Sequence, residues 1–237
     1  MGTYKSKIHS FEFEHRYLSQ LKPGDILFTT EEHWLSSAIK MVANIPISHC
    51  NLITKSNYLI DSAGRVEERF IPPHFERNNF ARAIAFQNPR ITSTQRMAIV
   101  ETARQFMNVE YDQMQLLAHG FATISTRFHP VGLLGDEARL ATKRFIVQNG
   151  LAGLDFIETF SPTETYKRTF GDRKKLMCSS LIVFSYLNAG VKLVLTNPDL
   201  MGTDDLYHFC SKYMVKKFDV VFNGAGVFST KSTDYES

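Results

Sequence analysis

The chain has 237 residues, 43% of them hydrophobic and 22% charged, a composition that suits a globular protein with a large core. The net charge is only +3 and the basic residues are dispersed apart from a run at 173–175, which argues against a nucleic-acid binder. The three cysteines lack framework spacing, so a disulfide scaffold is not expected and a reactive thiol is allowed. The sequence contains no CxxC, HExxH or Cys/His cluster, so we expect no metal and no cofactor.

Residues 1–20 form a polar and charged N-terminal segment without the apolar stretch of a secretory leader. Nothing elsewhere reaches the roughly 18 apolar residues of a membrane-spanning helix. We therefore expect a protein made in the cytoplasm without a signal peptide or transmembrane segment, and any export must use a leaderless route.

The first half of the chain predicts a group of short strands. A turn at 22–25 precedes a buried strand at 26–28, and apolar residues at helical spacing predict a helix over 31–43. Further strands are expected at 47–54, 58–61, 65–71 and 80–86. These strands and the helix belong to a first part of the core, at 21–112.

The second half is mainly helical. We predict an amphipathic helix with a Thr or Ser cap over 92–107, and an apolar helix over 177–189 that ends at Gly190. The short helical patterns and Gly and Pro residues of 113–170 indicate a largely helical insertion or lid. The second part of the core, 171–228, also holds a short helix within 198–213 and a last strand at 217–222, before a tail at 229–237. The order of elements predicts an α+β fold, with an antiparallel meander packed on helices.

Cys178 is the candidate nucleophile. It stands where a loop becomes an apolar helix, directly after the basic run at 173–175. A helix N-terminus and nearby cations both favour the thiolate, which is the nucleophilic form of cysteine. The alternative is a buried structural cysteine, since free cysteines are among the most buried residues.

His49 interrupts an apolar strand and is the candidate base. If the hairpin to the next strand is centred on Lys55, His49 stands directly opposite Asp61. A carboxylate there would hold the imidazole in the tautomer whose other nitrogen accepts the thiol proton. A slip of one residue in the register would destroy this pairing, and a hydrogen-bonded sheet histidine is the alternative.

The remaining candidates are weaker. Cys50 must point to the opposite face from His49 if both lie on a strand, so we interpret Cys50, like Cys210, as core packing. Glu67 and Glu68 are rival partners for His49, but they lie beyond another turn.

Four short segments are weak signals singly, but their order and separation along the chain are specific when taken together. They are 21–28 (LKPGDILF), Ser48-His49, Ile60-Asp61-Ser62, and Cys178-Ser179 before an apolar helix. In this arrangement the chain resembles the circularly permuted NlpC-type papain-like hydrolases, whose order the lecithin:retinol acyltransferase group shares. The resemblance implies a permuted papain-like fold with Cys178 as nucleophile, His49 as base and Asp61 as orienting acid. The chain departs from many relatives at Ser180, where they carry an acidic residue, and at Asp61, where they often carry Glu.

We therefore expect a thiol-dependent hydrolase of amide or ester bonds that forms an acyl-enzyme on Cys178. Peptidoglycan stem peptides and lipid-like acyl groups are both open as substrates, the second because of the 19 Phe residues. A leaderless wall hydrolase suggests an antibacterial effector, delivered by type VI secretion into a target cell's periplasm and restrained by an immunity protein. The alternatives are a lipid acyl hydrolase or acyltransferase, and a non-catalytic binding module on the same fold.

Overall fold

The computed structural model describes residues 16–31, 46–62, 64–71, 80–111, 142, 175–193, 201–223 and 226–229. Within these ranges three α-helices pack against a seven-stranded sheet, so the predicted α+β class is confirmed. The predicted helix over 31–43 lies outside the described residues apart from Glu31, which belongs to a strand and not to a helix. The predicted insertion over 113–170 (apart from residue 142) and the tail beyond 229 also lie outside them.

The strands of the sheet are β1 Ile26–Glu31, β2 His49–Lys55, β3 Tyr58–Asp61, β4 Glu67–Phe70 and β5 Phe80–Gln87, followed much later by β8 Val215–Asn223 and β9 Gly226–Ser229. Their order is β4-β3-β2-β1-β5-β8-β9, and every neighbouring pair is antiparallel. The first four strands form the predicted meander, because each pairs with the next along the chain. Two short strands, β6 Glu110–Tyr111 and β7 Lys175–Leu176, form a separate parallel pair.

The prediction that the strand at 217–222 is the last was wrong. That strand, β8, begins at Val215 and pairs with the additional strand β9. Asn223 pairs with Gly226, so a two-residue loop joins the strands, and the Gly at 224 in that loop is a hairpin signal that the prediction overlooked.

The helices are α1 Ser93–Arg104, α2 Cys178–Asn188 and α3 Thr203–Tyr213. Helix α1 begins at a capping box, in which the Gln95 amide donates to the Thr92 hydroxyl and the Thr92 amide donates to the Gln95 side chain. Helix α2 is followed by Gly190 with φ of +72°, the left-handed conformation that favours glycine. The amides of Gly190 and Val191 close the helix end in a Schellman motif, as the predicted C-cap requires.

Both faces of the sheet are buried in the described part of the chain. Side chains on one face pack under the three helices, among them Ile26, Phe28, Cys50, Leu52, Ile60 and Ile84. The helices contribute Ile99 of α1, Leu181 of α2 and Leu206 of α3 to the same cluster. Side chains on the other face form a smaller cluster, which includes Leu18, Leu27, Ile53, Leu59, Ala85 and Phe218. Because successive residues of a strand alternate between faces, a strand buried on both sides appears in the sequence as a continuous apolar run.

A buried ion pair anchors the turn before β1 to two helices. Arg96 of α1 lies 2.7 Å from the fully buried Asp25, measured from Nη1 to Oδ1, and the Lys22 amide donates to the same carboxylate at 2.8 Å. The Tyr186 hydroxyl of α2 donates to the carbonyl of Gly24 in the same turn. The polar residues of this turn therefore hold β1, α1 and α2 together.

Candidate active site

His49 and Asp61 meet where β2 begins and β3 ends. The Nε2 atom of His49 donates to Oδ1 of Asp61 at 2.7 Å. The Asp61 side chain is 1% exposed and the His49 side chain 14%, so the carboxylate is shielded from water while the histidine is partly exposed. Because the carboxylate engages Nε2, the Nδ1 atom of His49 remains for another partner.

The register that joins these two residues differs from the predicted one. Leu52 pairs with Ile60, so continuing the ladder by one step places Asn51, and not His49, opposite Asp61. The hairpin closes over a two-residue turn and carries an irregularity beside it, which a centre on a single residue does not describe. The prediction of direct pairing was therefore wrong, but a slip of two residues keeps His49 and Asp61 on the same face as diagonal neighbours.

Cys178 is the first residue of α2, one residue later than the predicted start of the helix at 177, and its side chain is buried at 2% exposure. Hydrogen bonding from the Cys50 thiol lowers the pKa of the Cys178 thiol, and the charge and hydrogen bond of His49 and the Thr203 hydroxyl lower it further. Burial acts in the opposite direction, but the pKa of Cys178 is still held well below its ordinary value.

The pKa of the His49 imidazole is shifted in the opposite direction, upwards. Burial lowers the pKa of His49, but the negative charge of the Cys178 thiolate and the hydrogen bond to Asp61 outweigh it and raise the pKa well above its ordinary value. A thiol with a lowered pKa beside an imidazole with a raised pKa describes a thiolate–imidazolium ion pair. The structure thus brings Cys178, His49 and Asp61 together from three separate elements, and their catalytic role stays a prediction.

Cys50 is a member of this cluster that the sequence reasoning missed. It lies in the core under the helices at 1% exposure, in agreement with its interpretation as core packing. Helix α2 packs against β2, and the Cys50 thiol affects the titration of Cys178. Burial raises the pKa of Cys50 well above its ordinary value, and its contact with Cys178 raises it further, so Cys50 stays protonated and donates.

Thr203 is the second residue that the sequence reasoning missed. It is the first residue of α3, and its Oγ1 atom lies 3.4 Å from Sγ of Cys178. The prediction placed only a short helix in this region. Nothing in the local sequence indicates that the N-terminus of this helix lies beside the Cys178 sulfur. The contact joins residues 25 positions apart in the sequence.

The two rival acids of the sequence analysis have other partners. Glu68 lies 3.0 Å from Arg104 of α1, and Glu67 lies 3.2 Å from Arg69. Arg69 also stands 3.5 Å from the second carboxylate oxygen of Asp61 and so adds a positive charge beside it. Of the three acids considered for the imidazole, Asp61 is the one that contacts it.

The arrangement of thiol, imidazole and carboxylate suits acyl transfer. A thiolate at the start of a helix is a nucleophile, and the imidazolium beside it can protonate a leaving group. The amides of the first turn of α2 are directed towards the same end of the helix, where they can donate to a developing oxyanion. A buried carboxylate hydrogen-bonded to the imidazole can keep the ring oriented while protons move to and from it.

Among the described residues, no group of three or more His, Cys, Asp or Glu side chains is arranged to hold a metal ion. None of the described helices combines the length and apolarity needed to cross a membrane. The sequence matches no protein-family model and no curated protein, so a functional argument depends on the geometry of Cys178, His49 and Asp61.

Proposed function

We propose that the protein is a thiol hydrolase with a permuted papain-like fold, which cleaves amide or ester bonds through an acyl-enzyme on Cys178. The observation that carries this proposal is the meeting of Cys178 with the His49–Asp61 pair, with the pKa values of thiol and imidazole displaced in opposite directions. Cys210 offers an internal comparison, because burial raises the pKa of that thiol well above its ordinary value. A structural cysteine behaves like Cys210, and Cys178 does not.

The reaction has two steps. The Cys178 thiolate attacks the substrate carbonyl, and the bond to the amine or alcohol breaks as that group takes a proton from the His49 imidazolium. A water molecule then gives a proton to His49 and attacks the thioester, which releases a carboxylic acid and restores the thiolate. Asp61 accepts a hydrogen bond from the imidazole throughout and fixes its orientation.

The approach to the site also bears on the substrate. Cys178 is almost fully buried, whereas the His49 side chain is partly exposed, so a substrate carbonyl approaches along the His49 side. The resemblance to NlpC-type hydrolases makes peptidoglycan stem peptides the first substrate class to test, and lipid-like acyl esters the second. Transfer to an amine or alcohol in preference to water would identify an acyltransferase.

The test is an activity assay in which each purified protein is incubated with muropeptides and with acyl esters. The proteins are the wild type, Cys178→Ala and the matched control Cys210→Ala. Products are identified by mass spectrometry. We expect cleavage by the wild type and by Cys210→Ala, and no cleavage by Cys178→Ala, because Cys178 is the cysteine that interacts with the His49 imidazole. Equal activity of wild type and Cys178→Ala would contradict the proposal.

The delivery part of the proposal is an antibacterial effector that acts on peptidoglycan in a target cell's periplasm. It is tested by fusing a Sec leader to the wild type and to Cys178→Ala in a Gram-negative host. We expect growth arrest or lysis with the exported wild type alone. Full growth of a host that exports well-expressed wild type would count against the effector.

The burial of Cys178 favours one alternative, a binding module that keeps the site closed and does not turn over substrate. Such a module would retain peptidoglycan in a sedimentation assay equally well as wild type and as Cys178→Ala. It would also show no selective labelling of Cys178 by a thiol reagent.

A further inference from the structure

The N-termini of two helices of the described structure lie next to each other, at the sulfur atom of Cys178. Cys178 is the first residue of α2 and Thr203 the first residue of α3, and both side chains are buried. The Oγ1 atom of Thr203 lies 3.4 Å from Sγ of Cys178, within hydrogen-bonding reach of sulfur. Each helix contributes the positive end of its dipole to this point.

The position of Thr203 is fixed by two further hydrogen bonds. The Ser179 hydroxyl, next to the nucleophile, donates at 2.6 Å to the carbonyl of Met201, two residues before Thr203. The Gly202 amide donates at 3.0 Å to the Asp205 carboxylate, which caps the start of α3. The two helix starts are therefore tied together, and the hydroxyl is held against the sulfur.

The direction of the Thr203 bond follows from the charge of the sulfur. A thiolate has no proton to give, so the hydroxyl must donate, and hydrogen bonds to charged acceptors are stronger than neutral ones. In the part of the chain that the structure describes, the ionisable groups that act on the sulfur are His49 and Cys50 of β2, with Asp61 of β3 behind the imidazole. Asp205 of α3 accepts a hydrogen bond from the Gly202 amide.

We propose that Thr203 is a further catalytic residue, whose hydroxyl donates a hydrogen bond to the Cys178 thiolate and increases the thiolate fraction near neutral pH. The inference rests on the proposed function, because it requires Cys178 to be the nucleophile. It adds to that function a donor on α3 that the triad does not contain.

The test is the rate of iodoacetamide labelling at Cys178 across pH, read by peptide mass spectrometry, for Thr203→Val, Thr203→Ala and Thr203→Ser. We expect Val and Ala, which lack the hydroxyl, to raise the pKa of Cys178 by about one, the size typical of a hydrogen bond to a charged group. Ser should stay close to the wild type. Thr102→Val is the matched control, since the buried Thr102 hydroxyl accepts from Asn188 and lies on α1.

A second signature separates this role from simple loosening of the site. A hydrogen bond that stabilises a thiolate also reduces its nucleophilicity, with a Brønsted coefficient of about 0.4–0.5. Below the wild-type pKa, a roughly tenfold smaller thiolate fraction is partly offset by about threefold greater nucleophilicity, so Thr203→Val should label about three- to fourfold more slowly than wild type. Well above both pKa values it should label about threefold faster. A change in accessibility would alter the rate by the same factor at every pH.

The outcomes distinguish the two proposals. An ordinary pKa for Cys178 in the wild type would overturn the proposed function and this inference with it. A lowered wild-type pKa that stays unchanged in both Thr203→Val and Thr203→Ala would overturn this inference alone. Circular dichroism checks folding, and if the Val variant does not fold, the smaller Ala variant decides the result against Ser.

Discussion

His49 and Asp61 are diagonal neighbours on adjacent antiparallel strands, and their side chains meet at 2.7 Å. Diagonal side chains on one face are farther apart at the backbone than directly paired ones, but a histidine ring is long enough to reach across. The contact fixes Nε2 and leaves Nδ1 for the thiol. This contact depends on the register of the β2–β3 hairpin, because the imidazole lies on one strand and the carboxylate on the other.

Asp61→Asn should reduce turnover roughly 10²–10⁴-fold, because the amide no longer holds the imidazole in the correct tautomer or stabilises its charge. Steady-state kinetics at neutral pH checks the prediction. Glu68→Gln is the matched control and should retain activity, since Glu68 pairs with Arg104. A similar loss in both variants would mean that general destabilisation is responsible.

The pH dependence of kcat/KM should be bell-shaped. Activity should rise with pH through the lowered pKa of Cys178, as the thiolate forms, and fall again through the raised pKa of His49, as the imidazolium loses its proton. The profile is measured with a substrate whose own groups do not titrate in that range. A rate that rises only near the ordinary thiol pKa of about 8.5 would contradict the ion pair.

Cys50→Ala should raise the pKa of Cys178, because the variant removes the thiol that donates to the thiolate. Turnover at neutral pH should decrease without being abolished, since nucleophile and base remain. The labelling rate of Cys178 across pH provides the measurement, with Cys210→Ala as a control of similar burial. An unchanged pKa in Cys50→Ala would assign Cys50 to packing alone.

Arg96→Met should destabilise the fold by about 3–5 kcal/mol near neutral pH, because it leaves the Asp25 carboxylate buried and unpaired. Burial already raises the pKa of Asp25, against the hydrogen bonds that lower it. When a carboxyl has a higher pKa in the folded state than in the unfolded state, the free energy of unfolding falls as pH rises through that range. The destabilisation caused by Arg96→Met should therefore be smaller in acid.

Urea denaturation at two pH values measures this effect. Arg104→Met is the control, and because its partners are partly exposed, it should cost less than about 1 kcal/mol. Equal losses in the two variants would show that the Asp25 pair does not anchor the fold.

Local signals predicted much of the fold. The Thr or Ser cap of α1 and the glycine that ends α2 were both predicted, because capping involves residues close together in the sequence. The α+β class and the meander follow from the strand pattern for the same reason. The register of β2 and β3 was not predictable in this way, since an irregularity beside the turn shifts the pairing without changing the apolar pattern.

The residues of the candidate site also differ in whether a local sequence signal predicts them. Cys178 is marked by its place before an apolar helix, and His49 by its polarity within an apolar strand. Cys50 and Thr203 carry no such mark, because their positions depend on how α2 and α3 pack against the sheet. Contacts between residues distant in sequence are set by tertiary packing, which periodicity and local propensity do not encode.

The most direct test is iodoacetamide labelling of all three cysteines across pH, in the wild type and in His49→Ala, with mass spectrometry to locate the label. We expect Cys178 alone to label rapidly below pH 7 and His49→Ala to slow this labelling, because the imidazolium stabilises the thiolate. The opposite result is slow labelling of all three cysteines with ordinary pH dependence and no effect of His49→Ala, and it would contradict a thiolate–imidazolium pair at Cys178 and His49.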